Sequence, residues 1–250
     1  MGYILGTTGN IGSGKSTFAK LLCNVESSHA HYETSELVAE VAEDFNRALS
    51  GELAFETTTD DVELVNQTLI WFVESISEKL HREVPWNQLA ITKRAIATRP
   101  ELFEKMFAYV DAAKKQPPLL DSRITSDNKN IYRSLLQWLG GYMVAKIGDT
   151  IWYDELFRRI DLHDADKSLV VIGGVRYPSD AQSVHKHGGI IVSIERPGEH
   201  IDGTERDRSA IKPDVVITNN GSLVQLQTVA EQLWFDIGAG TIRQNYNARL

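Results

Sequence analysis

Short apolar runs rich in β-branched residues alternate along the chain with longer segments in which apolar residues recur every three or four positions. Five runs are typical of strands buried on both faces of a parallel sheet: Tyr3–Gly9, Ala30–Ser35, Leu169–Val175, Ile190–Arg196 and Asp214–Asn220. Helical patterns follow the first, third and fifth runs. This alternation predicts βαβ units, and therefore an α/β fold with a doubly wound, parallel, five-stranded sheet.

The stretch from about residue 36 to 165 breaks this alternation. It contains helical patterns at residues 61–80, 101–115 and 132–146, without convincing strands between them. Residues 114–130 include Pro117-Pro118 and a polar cluster, which indicate a loop. We therefore expect one domain over residues 1–250, with a helical insertion at about 36–165.

A glycine-rich turn joins the first predicted strand to the first predicted helix. Residues 9–16 read GNIGSGKS and match the phosphate-binding pattern G-x-x-x-x-G-K-[ST] in its required structural context. The pattern predicts a P-loop that holds a nucleoside triphosphate, with ATP expected, in which Lys15 reaches the β- and γ-phosphates and Ser16 ligates Mg²⁺. The predicted nucleotide-binding residues are Gly9, Asn10, Ile11, Gly12, Ser13, Gly14, Lys15, Ser16 and Thr17.

The P-loop alone does not decide the reaction, because ATPases, GTPases and small-molecule kinases share it. A GTPase would need a base-reading Asn-Lys-x-Asp motif at a strand end, and "SDNKN" at residues 126–130 lies in the helical insertion instead. Many ATPases end a strand in an acid, whereas the run "LVVIGGV" carries Gly173-Gly174 there. A kinase needs arginines that bridge the donor and acceptor phosphates, because guanidinium groups make paired, charge-assisted hydrogen bonds.

Arginines follow two of the predicted strands at the carboxyl edge, where open α/β sheets bind ligands. Arg176 follows the third run and Arg196 ends the fourth. The polar segment at about 197–212, with Arg206 and Arg208, is either a lid over the nucleotide or a solvated loop. Salt bridges to neighbouring carboxylates are the alternative role for such arginines. After the fifth run, Asn220 is a candidate to flank the adenine, although a capped turn explains it equally well.

Arg133 and Gln137 are four residues apart and would share one helix face. Gln137 offers both an acceptor and donors for a base edge, while Arg133 could hold an acceptor phosphate. On spacing alone, the alternative that both flank a core stripe at Leu135, Leu136 and Leu139 is favoured.

Composition restricts the partners. The formal net charge is -8, with a pI near 5.4, which argues against a nucleic-acid polymer as the ligand. Cys23 is the only cysteine, so an intrachain disulfide is excluded, and we expect a buried thiol. The sequence contains no signal-peptide pattern and no apolar run of membrane-spanning length. We therefore expect a cytoplasmic protein without a membrane partner, and leave a homodimer open.

Three segments together resemble the phage-type deoxynucleoside monophosphate kinases of the P-loop nucleotide kinase group. They are "YRSLLQWLGGYMVAKIGDTIWYDELFRRI", "LVVIGGVRYPSDAQSVHKHGGIIVSIERPG" and "PDVVITNNGSL". The resemblance covers the P-loop and most of residues 128–226, and is weak over 36–127. It implies a Mg²⁺-dependent kinase that transfers the γ-phosphoryl group of ATP to a (deoxy)nucleoside monophosphate and forms the diphosphate.

The resemblance also assigns roles to residues. The family segment R-x-x-x-Q-x-x-G of the acceptor site matches Arg133, Gln137 and Gly140, while the family's strand-ending and lid-leading arginines match Arg176 and Arg196. Lys15, Arg176 and Arg196 would carry the transition-state charge. Alternatives are a kinase of another phosphorylated metabolite, such as a dephospho-CoA-like acceptor, and a nucleotide-binding module without catalysis.

The chain departs from the family pattern in two places. Gly140-Gly141-Tyr142 and then Lys146 replace a Gly-Thr-Glu and a following arginine, so Lys146 is a further candidate for acceptor binding. The family's D-x-R is here Gly174-Val175-Arg176, which removes a carboxylate expected near Mg²⁺ or the attacking phosphate. Asp180 and Glu33 are the two candidates to supply an acid in its place.

Overall fold

The computed structural model describes residues 2–10, 12–55, 60–197 and 210–248. The chain divides into two compact units. Met1–Thr34 together with Leu156–Leu250 form the first, and Ser35–Glu155 form the second. We call them the sheet unit and the helical unit. The expected single domain with an insertion at 36–165 and a lid at 197–212 stays a prediction.

The sheet unit contains six parallel strands in the order β2-β3-β1-β4-β5-β6 among the described residues. Their bounds are β1 Tyr3–Thr8, β2 His29–Glu33, β3 Leu169–Gly173, β4 Ile190–Glu195, β5 Val215–Asn219 and β6 Asn245–Ala248. The first five lie within one or two residues of the predicted runs. The predicted parallel α/β fold is confirmed, whereas the predicted count of five strands is corrected to six.

Eleven helices are present in the described ranges. They are α1 Lys15–Cys23, α2 Thr34–Phe55, α3 Asp61–Lys79, α4 Trp86–Leu89, α5 Lys93–Thr98, α6 Pro100–Lys115, α7 Pro118–Asp121, α8 Arg133–Ile147, α9 Ile151–His163, α10 Pro178–Lys186 and α11 Leu223–Ala239. The three quoted helical patterns of the insertion correspond to α3, α6 and α8. The predicted loop at 114–130 is interrupted by the end of α6 and the short α7.

Helices cover both faces of the sheet, which is the doubly wound arrangement. Leu5 of β1 shares a buried cluster with Phe18 of α1 and Leu233 of α11. The next residue, Gly6, points the other way, because a Cβ there would meet Val184 of α10. Alternate residues of β1 therefore face opposite helical layers, as a strand buried on both faces requires.

The sixth strand is fixed to the end of α11 by a polar cluster. The Tyr246 hydroxyl donates to Asp236 Oδ2 at 2.7 Å, and the Arg243 guanidinium lies 3.5 Å from the same oxygen. The hydrogen bond from Tyr246 is the main cause that holds the pKa of the buried Asp236 carboxyl below its usual range. This contact adds to the parallel pairing of β6 with β5, and β6 itself contains no apolar run.

The helical unit has its own core of aromatic and aliphatic side chains. Trp138 is fully buried, with its ring centroid 5.1 Å from those of both Phe45 and Tyr142. Among the described residues, no helix is both long and apolar enough to cross a membrane. In the sheet unit Cys23 is half-buried, and burial raises the pKa of its thiol to about 11.

Candidate functional site

Glycines turn the loop between β1 and α1 through backbone conformations that other residues rarely adopt. Gly9, Gly12 and Gly14 have φ angles of 144°, 87° and 94°. A Cβ at Gly9 would lie 2.3 Å from the Ile194 carbonyl oxygen, while a Cβ at Gly12 would meet nothing within 4 Å. The loop therefore rests on β4 at its first glycine and is open at its second, where a ligand could approach the backbone.

The buried side chain of Asn219 braces the other end of the loop. Its Nδ2 donates to the Ser13 carbonyl at 2.7 Å, and a Cβ at Gly14 would lie 2.4 Å from that same nitrogen. Asn219 thus joins the last residue of β5 to the loop, and only a glycine at position 14 leaves room for it. The sequence pointed one residue further, to Asn220, which is exposed.

The first turn of α1 has the features of an anion site. No side chain caps this helix, and its first turn contains no acidic residue. Lys15 Nζ donates to the Asn10 carbonyl at 2.9 Å, which holds the ammonium group over the loop. Ser16 and Thr17 follow and are exposed.

Phosphate oxygens would have to complete a metal site at Ser16. Within the described ranges, no group of three His, Cys, Asp or Glu side chains could hold a metal ion. An exposed serine hydroxyl in the first turn of a phosphate-binding helix suits a Mg²⁺ ion that a nucleotide brings with it. The residues present therefore fit a Mg²⁺–nucleotide complex rather than an ion held by protein alone.

Arg176 and Arg196 flank β1, because they follow its two neighbours in the sheet, β3 and β4. Both are exposed. The Asp180 carboxylate fixes the backbone of Arg176, since its Oδ2 accepts the N–H groups of Arg176 and Tyr177 at 2.9 and 3.0 Å. Tyr177 is the N-cap residue of α10, and Asp180 lies in the first turn of that helix.

Arg133, Gln137 and Gly140 share one face of α8 in the helical unit, within about 60° of one another at 3.6 residues per turn. Arg133 is exposed and Gln137 half-buried. Gly140 leaves this face without bulk, since a Cβ there would approach only Val38, at 3.8 Å. Arg133 and Gln137, with little bulk beside them at Gly140, form a face that could accept a small phosphorylated ligand.

Lys146 does not join that face. It is nine residues beyond Gln137, so the two point about 180° apart on α8. Lys146 Nζ donates to the Ala90 carbonyl at 2.8 Å, and burial lowers the pKa of its ammonium group. These contacts place the Lys146 ammonium group beside the end of α4, and its role with the acceptor stays a prediction.

Part of the predicted site lies outside the described residues. Ile11 of the P-loop does, and so do residues 198–209, which include Arg206, Arg208 and most of the expected lid.

Replacing Asn219 with Ala should weaken ATP binding about tenfold, because the variant leaves the buried Ser13 carbonyl without its donor and releases the loop. The melting temperature should fall as well. Calorimetric titration with ATP and thermal unfolding measure the two effects.

Asn220→Ala is the matched comparison for Asn219→Ala. Because Asn220 is exposed and beyond β5, its loss should leave the melting temperature unchanged, whatever it contributes at the adenine. Unchanged ATP affinity in Asn219→Ala would contradict its role as a brace of the loop.

The chain matches a known family over most of its length. The family model described as deoxynucleotide monophosphate kinase covers residues 4–229, which includes the P-loop, α8 and both strand-ending arginines. A comparison with curated proteins gave no match. The match confirms the resemblance to phage-type deoxynucleoside monophosphate kinases, and the description names a kinase, that is, a phosphotransferase. The chain therefore belongs to the deoxynucleotide monophosphate kinase family.

Proposed function

We propose that the protein transfers the γ-phosphoryl group of ATP to a deoxynucleoside monophosphate and forms the diphosphate. The observation that carries the proposal is the braced loop before α1, with an uncapped helix N-terminus and Lys15 above it. Arginines at both sides of β1 add the positive charge that phosphoryl transfer requires.

The loop and α1 would hold the donor. The N–H groups at the start of α1 bind phosphate oxygens, and Lys15 adds a positive charge at the β- and γ-phosphates. Ser16 would hold Mg²⁺, and the ion would neutralise part of the negative charge of the phosphates. Asn219 keeps the loop in the binding conformation before the nucleotide arrives, so less ordering is needed on binding.

The α8 face of Arg133, Gln137 and Gly140 would hold the acceptor. An arginine binds a phosphate through two parallel hydrogen bonds, and an amide can pair with a base edge through an acceptor and a donor. The acceptor phosphate is itself the nucleophile, so no protein base is required. Catalysis then consists of orientation and of charge stabilisation by Lys15, Arg176 and Arg196.

Coupled ADP release over a panel of monophosphates tests the proposal. Turnover with dTMP, dGMP or dCMP is expected. Turnover restricted to another phosphorylated acceptor, such as dephospho-CoA, would overturn the substrate class. ATP binding without turnover on any acceptor would make the protein a nucleotide-binding module.

Arg133→Ala should raise the KM for the monophosphate about ten- to a hundredfold, because charged hydrogen bonds to the phosphate are lost. The KM for ATP should stay the same. Arg94→Ala is the control, since Arg94 is exposed on α5 of the same helical unit. An equal KM for the acceptor in Arg133→Ala and the wild type would remove Arg133 from the acceptor site.

A further inference from the structure

The end of β3 lacks a side chain, and a neighbouring carboxylate fills the space. Gly173 pairs with Glu33, the last residue of β2. A Cβ on Gly173 would lie 2.2 Å from Glu33 Oε1 and 2.6 Å from Oε2. The Glu33 carboxylate therefore lies over the end of β3, at the place where a side chain of β3 itself would begin.

This carboxylate is at the same end of the sheet as the start of α1. Helix α1 runs antiparallel to β2, because the Leu22 carbonyl lies 2.8 Å from His29 Nδ1 and Cys23 Sγ donates to the Ala30 carbonyl at 3.5 Å. The end of α1 thus covers the start of β2. Nine helical residues and five strand residues both span about 13–17 Å, so the start of α1 lies beside the end of β2.

Glu33 also lies on the face of the sheet that α1 covers. Side chains alternate along a strand, so Glu33 is on the same face as His29, whose ring nitrogen contacts α1. The residues of β3 that pair with this face of β2 lead to the same conclusion. Leu169 and Val171 share a buried cluster with Phe18 and Leu22 of α1. The Glu33 carboxylate therefore lies on the face of the sheet that α1 covers. It also lies at the end of the sheet where α1 begins, with Ser16 in its first turn.

We infer that Glu33 is the metal-positioning acid of this enzyme and holds the Mg²⁺ of the bound nucleotide together with Ser16. This assignment rests on the proposed function. It accounts for the glycine at 173: the acid comes from the adjacent strand, and Gly173 leaves room for its carboxylate. A carboxylate oxygen and a serine hydroxyl are ligands of the kind that Mg²⁺ prefers.

Asp180, the other acid near β3, is already used. Its Oδ2 accepts two backbone N–H groups at the start of α10, and the residue is buried. Turning this carboxylate toward a metal ion would break both hydrogen bonds. The Glu33 carboxylate accepts no such pair of backbone hydrogen bonds in the part of the chain that the structure describes; its Oε1 lies 3.3 Å from His31 Nε2 on the same face of β2.

Binding of Mn²⁺ to the enzyme–ADP complex, measured by electron paramagnetic resonance, tests the inference without turnover. Glu33→Gln keeps the size of the side chain and removes its charge. We expect about tenfold weaker Mn²⁺ binding, the low end of the range for residues that support a metal. ADP binding in EDTA should be equal or slightly tighter, because a negative charge near the phosphates is lost.

Gly173→Ala displaces the carboxylate without removing it and should weaken Mn²⁺ binding in the same direction. Glu33→Asp retains the charge on a shorter side chain and should bind Mn²⁺ more tightly than Glu33→Gln. Glu231→Gln, on the exposed surface of α11, is the matched control and should equal the wild type.

The outcomes separate the two proposals. An Mn²⁺ affinity in Glu33→Gln equal to that of the wild type would overturn the inference. If the melting temperature of this variant were also lower, the role of Glu33 would be its contact with His31. A wild-type protein that binds no ADP would instead overturn the proposed function.

Discussion

Lys15→Ala should lower kcat for phosphoryl transfer at least about 10²–10³-fold, the loss typical when one preorganised donor to a developing negative charge is removed. The ammonium group is held over the loop by the Asn10 carbonyl, so it is in place before the nucleotide binds. Lys15 lies at the surface of the first turn of α1 rather than in the core. The fold should therefore survive, with a melting temperature near that of the wild type.

Lys20→Ala is the control for Lys15→Ala. Lys20 is exposed in the last turn of the same helix, so its loss makes the same change in charge away from the loop. Steady-state kinetics with saturating ATP and acceptor measure the difference. Undiminished turnover in Lys15→Ala would refute the mechanism, because Lys15 is the lysine in the first turn of α1 and Lys20 lies in its last turn.

The centre of the sheet could be predicted from the sequence because β1, β3 and β4 are buried on both faces. Such strands read as continuous apolar runs, and each is short enough to be bounded by polar or glycine residues. β3, for example, is buried at all five positions, and its predicted and observed starts coincide at Leu169. β6 was not predicted, because its sequence "NYNA" contains no continuous apolar run. The hydrogen bond from Tyr246 to Asp236 helps to hold this strand in place.

The glycine-rich loop between β1 and α1 could be predicted from the sequence, since its glycines and lysine lie close together in the chain. The side chain that braces this loop could not be predicted in the same way. Asn219 is separated from Ser13 by 206 positions, and only the order of the strands brings the end of β5 to the loop. The helical period places Arg133 and Gln137 on one face of α8. The same period places Lys146 on a different face from both.

The acid beside β3 could be narrowed to Glu33 and Asp180 from the sequence, but the sequence could not choose between them. A comparison of this chain with the family pattern D-x-R finds a glycine, Gly174, at the place of the acid. The parallel pairing of β2 with β3 places Glu33 beside Gly173, although 140 positions separate the two residues in the sequence. Strand pairing therefore favours Glu33 over Asp180 for the inferred metal site, a choice that position along the chain could not make.

Arg176→Ala should lower kcat about 10³-fold, within the range known for arginines that neutralise charge in phosphoryl transfer. Its backbone is fixed from both sides: the Thr8 hydroxyl donates to the Val175 carbonyl at 2.9 Å, and Asp180 accepts the N–H of Arg176. The guanidinium is exposed beyond these anchors. These anchors fix the point at which the Arg176 side chain leaves the sheet, and the exposed guanidinium is available to a phosphate there.

Arg176→Lys separates charge from geometry. Lysine keeps the positive charge but lacks the planar fork, so it should recover only a small part of the lost kcat. The KM values should change little in both variants, because the proposed contact strengthens in the transition state. Lys186→Ala, exposed at the last turn of α10, is the control. If Arg176→Ala raised KM and left kcat intact, Arg176 would serve ground-state binding, and Arg196 would remain the arginine for the transition state.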